Sequence, residues 1–242
     1  MARAMARGWS EPVLATDAGS GRAAALAAEL GGEAVGSNAE LAERVDLVVL
    51  CHKPAALDDV AAEIAGQARA VASVLAGTSV AELQRAYPDT PVFRFLPNTP
   101  VELGRGVVCY VRGPDVDPEV ERDVLALFGR LGSVVEVDEA QIELAMALMS
   151  CAPAYLALVA QAQIDSASRR GMGAETAARL VIDTMAGTAE LLRARGGDAA
   201  AVRREVASPG GYTERGLAVL ERARVGEAFE EAIEEVAGSR RS

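Results

Sequence analysis

Five short polar segments carry most of the residues that could do chemistry. Two of them, MSCAPAY (149–155) and SPGGYT (208–213), are rich in small residues and stand where a helix is predicted to begin. At a helix start the free backbone amides and the helix dipole attract an anion, and glycines let the backbone approach a ligand closely. The other three each follow an apolar run directly: CHKP (51–54), AGTS (76–79) and LPNTP (96–100). The two helix starts predict a site for a small carboxylate.

Apolar runs that alternate with amphipathic segments predict how these loops are held. The predicted strands are VLAT (13–16), DLVVLC (46–51), AVASVL (70–75), VFRFL (92–96), GVVCYV (106–111) and SVVEV (133–137). Ser37 and Ser79 each stand three residues before a glutamate, the capping-box spacing of a helix start, and Pro118 opens a further helix. This alternation predicts a doubly wound, mainly parallel α/β sheet. Such a sheet binds ligands beyond the carboxyl ends of its strands, so the three loops should line one crevice.

After Asp138 the sequence shows helical periodicity and no convincing strand. The stretch AETAARLVIDTMAGTAELLRAR is long, and small residues interrupt its Leu, Ile, Val and Met. A helix that is apolar around much of its circumference is buried on several sides. We therefore expect a homodimer, or a higher homo-oligomer, formed through the C-terminal helices; a compact monomeric bundle is the alternative.

Composition excludes several classes of function. Half of the 242 residues are hydrophobic and 24% are charged, which is typical of a globular protein. The net charge of −11 argues against a nucleic-acid or anionic-membrane partner. No apolar run approaches the roughly 20 residues of a membrane span, and no signal peptide is recognisable. The three cysteines are far apart and His52 is the only histidine, so we expect no disulfide framework, no metal site and a cytoplasmic location.

Five motifs in order resemble the pyrroline-5-carboxylate reductase family along essentially the whole chain. DLVVLCHKP is similar to the family's D-V-V-x-A-V-K-P, and LAGTSVAELQ to A-G-V-x-I-x-x-L. FLPNTP is similar to M-P-N-T-P, APAY to S-G-S-G-P-A-Y, and SPGGYTERGLAVLE to S-P-G-G-T-T-x-x-G-L-x-x-L-E. The resemblance implies a Rossmann-type dinucleotide-binding domain over residues 1–138 and a helical dimerisation and substrate domain over 139–242. It also implies hydride transfer from NADPH or NADH to the C=N carbon of pyrroline-5-carboxylate, giving proline.

The resemblance implies roles for residues in the substrate segments. Thr213 matches the threonine that hydrogen-bonds the ring nitrogen and is the catalytic candidate. Ser208, Gly210 and Gly211 match the carboxylate-binding loop. Cys151 matches a serine of the substrate loop, and Asn98 matches the asparagine near the nicotinamide. Taken alone, Ser-Pro-Gly-Gly before a helix is also an ordinary turn and cap.

On the cofactor side, the resemblance implies contacts from two loops and two further positions: His52, Lys53, Pro54, Ala76, Gly77, Asn38 and Asp17. Without the family match, Lys53-Pro54 and Ala76-Gly77 would be ordinary turns. A carboxylate at the position of Asp17 holds the adenosine ribose and disfavours a 2′-phosphate, whereas Ser20 and Arg22 can accommodate that phosphate. The sequence leaves NADH and NADPH open, with a slight preference for NADH.

MARAMARGW, at the start of the chain, matches the tail of the family's G-x-G-x-M-A-x-A-x-x-x-G. The expectation is that the first strand and the glycine-rich loop are missing from this chain, through a misassigned start or through decay of the family pattern. A missing central strand would leave two strands without a partner. It would also remove amides that cradle the cofactor pyrophosphate.

Three departures from the family pattern keep other functions open. Met149-Ser150-Cys151-Ala152 replaces S-G-S-G, His52 replaces a valine, and Tyr212 replaces a smaller residue beside Thr213. One alternative is a reductase of another cyclic imine or imino acid. The other is a non-catalytic dimeric relative that has lost cofactor binding.

Overall fold

A computed structural model describes residues 1–114 and 116–238. They form two compact units, the first ending at Ser150 and the second beginning at Cys151. The sequence placed this boundary after residue 138. Residues 139–150 instead belong with the first unit, since Ile142, Ala147 and Met149 are buried there.

The first unit alternates strands and helices. Its strands are β1 (Leu14–Ala15), β2 (Glu33–Ala34), β3 (Val48–Leu50), β4 (Val71–Ser73), β5 (Val92–Pro97), β6 (Gly106–Val111) and β7 (Gly132–Glu136). Its helices are α1 (Ala2–Trp9), α2 (Arg22–Leu30), α3 (Asn38–Arg44), α4 (Leu57–Ile64), α5 (Val80–Ala86), α6 (Pro118–Gly129) and α7 (Ile142–Ala145). A π-helical turn, Met146–Ser150, follows α7. All six predicted strands are present, and β2 is the one that the sequence analysis missed.

The strands form two sheets. β1 and β2 pair in parallel, with Leu14 opposite Glu33. The second sheet has the order β3-β4-β5-β6-β7, and its strands are parallel except that β5 and β6 run antiparallel. The predicted doubly wound α/β class is confirmed, and the carboxyl ends of β3, β4 and β5 lie at one edge.

Capping residues fix where the helices begin. The Ser79 hydroxyl accepts the Glu82 amide, and the Glu82 carboxylate accepts the Ser79 amide, so the predicted capping box of α5 is present. Ser37 likewise accepts the Glu40 amide at the start of α3. Each such cap stabilises a helix start by about 1 kcal/mol. These helices begin directly after β4 and β2, so the caps hold the ends of the loops that leave those strands.

Aromatic side chains fill the core on the α1 and α6 side of the large sheet. Phe95 stacks on Phe128 with 3.8 Å between ring centroids, and Trp9 meets Phe128 edge-on at 5.6 Å. Met5 of α1 is 1% exposed and belongs to the same cluster. The Trp9 indole N–H donates to the Leu127 carbonyl at 3.0 Å. Trp9 is the only tryptophan, so its fluorescence reports on this core.

The hydroxyl of Tyr87, at the end of α5, predicts an unusual mutational effect. Tyr87 is 1% exposed, and no described residue bonds its buried hydroxyl, whose pKa burial raises to about 12. Removing an unsatisfied buried hydroxyl removes a desolvation cost. We expect Tyr87→Phe to raise the free energy of unfolding by about 1 kcal/mol. Urea unfolding followed by Trp9 fluorescence measures this.

Tyr110 provides the matched control for that substitution. Its hydroxyl donates to Glu121 at 2.8 Å and it is equally buried. Tyr110→Phe should therefore lower the free energy of unfolding by about 1–2 kcal/mol. A loss of stability in Tyr87→Phe as large as that in Tyr110→Phe would contradict the prediction.

The second unit consists of helices among its described residues. They are α8 (Ala152–Ser168), α9 (Ala174–Ala194), α10 (Ala199–Val206), α11 (Tyr212–Arg222) and α12 (Val225–Gly238). Ala177 and Val202 are the two hydrophobic residues buried within it. Many large apolar side chains are exposed on its surface: Leu156, Leu158, Val159, Met172, Leu180, Ile182, Val206, Val219, Leu220, Val225 and Phe229. A protomer alone thus leaves this unit without a continuous core.

One helical stretch corrects the expectation about apolar length. Glu139–Ser168 is long enough to cross a membrane on length and composition, with a mean hydropathy of 1.8 over its most apolar part. Polar residues such as Ser150 and Gln161 interrupt it, so it does not stand out as one continuous apolar run. Residues 139–150 of this stretch belong to the first unit, where Ile142, Ala147 and Met149 are buried. Length and composition alone are weak evidence for a membrane span.

Candidate active site

The loop after β3 places His52, Lys53 and Pro54 at the carboxyl edge of the large sheet. The His52 Nδ1 lies 2.9 Å from the Lys53 carbonyl oxygen. Because a carbonyl can only accept, Nδ1 carries the proton and donates. The other ring nitrogen, Nε2, is buried and has no hydrogen-bond partner among the described residues. Buried polar atoms are almost always paired, so this nitrogen is an unsatisfied acceptor at the edge of the sheet.

The neighbouring loop, after β4, leaves open space beside the backbone. Ala76 and Gly77 are exposed, and Gly77 has φ +77°. A Cβ built on Gly77 would meet nothing within 4 Å, so the surface there is free for a ligand. Because β3 and β4 are adjacent and parallel, the structure brings this loop and the His52 loop to the same edge.

Asn98 ends β5 at that edge, and its side chain is fully engaged. It is 7% exposed; its amide donates to the Met149 carbonyl at 3.0 Å, and its Oδ1 accepts the Val107 amide at 2.8 Å. These bonds tie the end of β5 to β6 and to the π-helical turn before Cys151. The geometry gives Asn98 a positioning role toward those backbone segments.

Asp17 lies in the loop between β1 and α2, turned toward its own backbone. Its Oδ1 accepts the Ser20 amide at 2.8 Å and its Oδ2 accepts the Ala23 amide at 2.7 Å. The Ala23 bond is the main reason that the pKa of Asp17 is lowered. Arg22 begins α2, is exposed, and forms no ion pair with the described residues. The loop therefore presents a free guanidinium while its carboxylate is held by amides.

Asn38 begins α3 after β2. Its amide donates to the Glu63 carboxylate of α4 at 2.8 Å. The side chain is partly exposed, so it serves here as a link between two helices and remains accessible at the surface.

In the second unit, the predicted substrate residues lie at two helix starts. Cys151 precedes α8. Burial is the main reason that the pKa of Tyr155 is raised, and the neighbouring Cys151 thiol is the second. Ser208 to Gly211 form the turn before α11, where Gly210 has φ +72° and the Gly211 amide donates to the Ser208 carbonyl at 2.9 Å. Thr213, in the first turn of α11, is exposed, and its hydroxyl forms no hydrogen bond with the described residues.

A half-buried ion pair that the sequence did not predict joins β5 to the segment before α7. Arg94, on β5, is 7% exposed and donates to the Glu139 carboxylate. Glu139 also accepts the Val80 amide at 2.8 Å, which fastens the start of α5 to the segment that leads into α7. An arginine inside the apolar run VFRFL was the available signal, since a buried charge in a strand needs a partner.

Family profiles match both parts of the chain. The profile described as pyrroline-5-carboxylate reductase dimerisation matches residues 139–242. The profile described as NADP oxidoreductase, coenzyme F420-dependent, matches residues 1–77.

Curated relatives and solved structures agree with these profiles. The pyrroline-5-carboxylate reductase of Synechocystis sp. is 36% identical over 198 residues, covering 81% of this chain and 74% of that protein. That of Thermus thermophilus is 37% identical over 195 residues, covering 80% and 73%. Among solved structures, the Coxiella burnetii enzyme has a TM-score of 0.86 at 26% identity, covering 98% of this chain and 92% of its own. The Streptococcus pyogenes enzyme has a TM-score of 0.85 at 25% identity, covering 98% and 95%.

The five motifs, the α/β unit followed by a helical unit, and these similarities all indicate the same family. The loops at the sheet edge and the turn before α11 are the segments on which the family resemblance rested. This chain belongs to the pyrroline-5-carboxylate reductase family.

Proposed function

We propose that this protein reduces 1-pyrroline-5-carboxylate to L-proline with NADPH or NADH. The observation that carries the proposal is the 36% identity to a reductase of that name over 81% of the chain. The site residues assigned below extend this proposal from the family to individual side chains.

The first unit provides residues that fit a dinucleotide. His52 Nε2 is a buried acceptor that a ribose hydroxyl or an amide N–H of the cofactor would satisfy. Gly77 and Ala76 leave the neighbouring backbone open. Lys53, Pro54 and Asn38 complete the set of residues that would hold the cofactor, whose dihydronicotinamide supplies the hydride when it is bound.

The loop between β1 and α2 supports a preference for NADPH. A carboxylate that selects NADH must offer its oxygens to the ribose hydroxyls, whereas both oxygens of Asp17 already accept backbone amides. The exposed, unpaired guanidinium of Arg22 suits a 2′-phosphate. This reverses the slight preference for NADH that the residue types alone suggested.

The second unit provides the groups for the imino acid. The turn of Ser208, Gly210 and Gly211 would hold the substrate carboxylate. The Thr213 hydroxyl would accept a hydrogen bond from the N–H of the protonated imine. When hydride adds to the imine carbon, the C=N electron pair moves to nitrogen and the ring amine forms. The protonated imine is already a good acceptor, so the chain needs no strong general acid beside it.

A second copy of the chain would cover the exposed apolar side chains of the second unit. Homo-oligomerisation agrees with the dimerisation profile over 139–242. We infer a homodimer through the C-terminal helices, in which the exposed leucines, valines and isoleucines become buried. We place the reaction in the cytoplasm, as the cysteine content suggested.

Steady-state turnover tests the function. The purified chain is mixed with 1-pyrroline-5-carboxylate and either NADPH or NADH, and loss of the reduced nicotinamide absorbance is followed. We expect turnover that depends on the imino acid and is faster with NADPH. The six-membered homologue serves as the comparison substrate, because Tyr212 and Cys151 alter the family's substrate segments. Faster turnover of that homologue would instead favour a reductase of another imino acid, and no turnover of either would overturn the proposal.

A further inference from the structure

The turn before α11 holds a carboxylate of the protein itself. The Gly210 amide donates to the Glu214 Oε2 at 2.6 Å. The Gly211 amide donates to the Ser208 carbonyl. Both glycine amides that the family resemblance assigns to the substrate carboxylate are therefore engaged, and one of them binds a group of the same chemical class as the substrate's own carboxylate.

We propose that Glu214 competes with the substrate carboxylate for the Gly210 amide and so sets the affinity for the imino acid. This inference rests on the proposed function. One N–H donor cannot serve two carboxylates at full strength, and two carboxylates at hydrogen-bond distance from it repel each other. Substrate binding then requires the Glu214 side chain to leave the amide.

The surroundings leave Glu214 free to do this. Glu214 is exposed, so its side chain can swing into solvent by rotation about its own bonds. It forms no ion pair among the residues that the structure describes. The adjacent Arg215 guanidinium lies over the Tyr212 ring, 4.7 Å from the centroid. The charge of Glu214 is therefore not paired with a cation of the described residues at the turn.

A similar contact elsewhere in the chain separates competition from simple helix capping. At α3 the Gly36 amide donates to the Glu40 carboxylate at 3.0 Å. As at α11, the donor is the residue before the cap and the acceptor is the third residue of the helix. There Ser37 also accepts the Glu40 amide, so the cap has two side chains. At α11 the cap residue is Gly211, and Glu214 is the side chain that satisfies the turn. Glu40, which also pairs with Arg44 at 3.2 Å, is therefore the control for loss of a glutamate cap away from the turn.

The experiment measures KM for 1-pyrroline-5-carboxylate at saturating NADPH in wild type, Glu214→Gln, Glu214→Ala and Glu40→Ala. We expect Glu214→Ala to lower KM by about 3- to 10-fold with kcat changed less than 2-fold, which corresponds to the typical net contribution of one hydrogen bond. Glu214→Gln keeps a hydrogen-bond acceptor without the charge, so its KM should lie between those of wild type and Glu214→Ala. Glu40→Ala removes a glutamate cap together with the Glu40–Arg44 ion pair and should leave KM unchanged.

Binding of L-proline, measured by calorimetry, gives a readout that does not need turnover. Its Kd should fall in Glu214→Ala by the same factor as KM. If wild type and variants all fail to reduce the imino acid, the proposed function fails, while tighter proline binding by Glu214→Ala would still support competition at the turn. An unchanged or higher Kd in Glu214→Ala would overturn the inference, because it would make Glu214 a cap or a positioning residue only.

Discussion

Thr213→Val should lower kcat/KM for 1-pyrroline-5-carboxylate by on the order of 10- to 100-fold. Valine has the shape of threonine but no hydroxyl, so the substitution removes the hydrogen bond that the protonated ring nitrogen would donate. A hydrogen bond to a charged group contributes about 1.5–3 kcal/mol. Thr213 is exposed in the first turn of α11, and its hydroxyl forms no hydrogen bond with the described residues, so folding does not depend on that hydroxyl.

Thr213→Ser is the control for that experiment. Serine keeps the hydroxyl and should retain kcat/KM within a few-fold of wild type. Circular dichroism and the oligomeric mass of both variants check that the helical unit is intact. If Thr213→Val kept full activity, the ring nitrogen would need another partner, and the role carried over from the family would be wrong for this chain.

Arg22→Ala should weaken NADPH binding by on the order of 10- to 100-fold and change NADH binding much less. The physical reason is local: the Asp17 carboxylate is held by the Ser20 and Ala23 amides, which leaves Arg22 as the free charge of the loop. Quenching of Trp9 fluorescence, or the emission of the bound dinucleotide, measures both dissociation constants.

Arg122→Ala provides the matched control, because Arg122 is exposed on α6 and pairs only weakly with its neighbour Asp123 at 3.4 Å. Its affinities for both cofactors should equal those of wild type. If Arg22→Ala weakened NADPH and NADH binding equally, Arg22 would contact a group that both cofactors carry. The preference for NADPH would then need another source.

Hydrophobic pattern was enough to predict most of the sheet. Six apolar runs became strands because a strand covered on both faces must be apolar throughout. β2 was missed because Glu33 and Ala34 are both exposed and carry no such signal. The antiparallel direction of β6 was missed as well, since an apolar run has no direction. The short connection that follows Asn98 was the available indication, because a parallel crossover needs a dozen or more residues.

Residue types were enough to locate the loops of the candidate site, but not to predict which side chains would contact each other. The sequence located the glycine turn and the loops after β3 and β4, because turn residues mark where strands and helices end. It could not predict that Asn98 would bond Met149, far along the chain, or that Glu214 would reach back to Gly210. Such contacts depend on how separate elements come together and on side-chain rotation. No periodicity in the sequence records either.

The nearly coreless second unit has a consequence for how this protein responds to dilution. A unit that buries only Ala177 and Val202 of its described hydrophobic residues cannot hold its helices together by itself. Its folding free energy then includes the free energy of association. By mass action, the melting temperature of the helical unit rises with protein concentration, whereas that of the first unit, which has its own aromatic core, does not. Dilution would therefore unfold this protein from its C-terminal half.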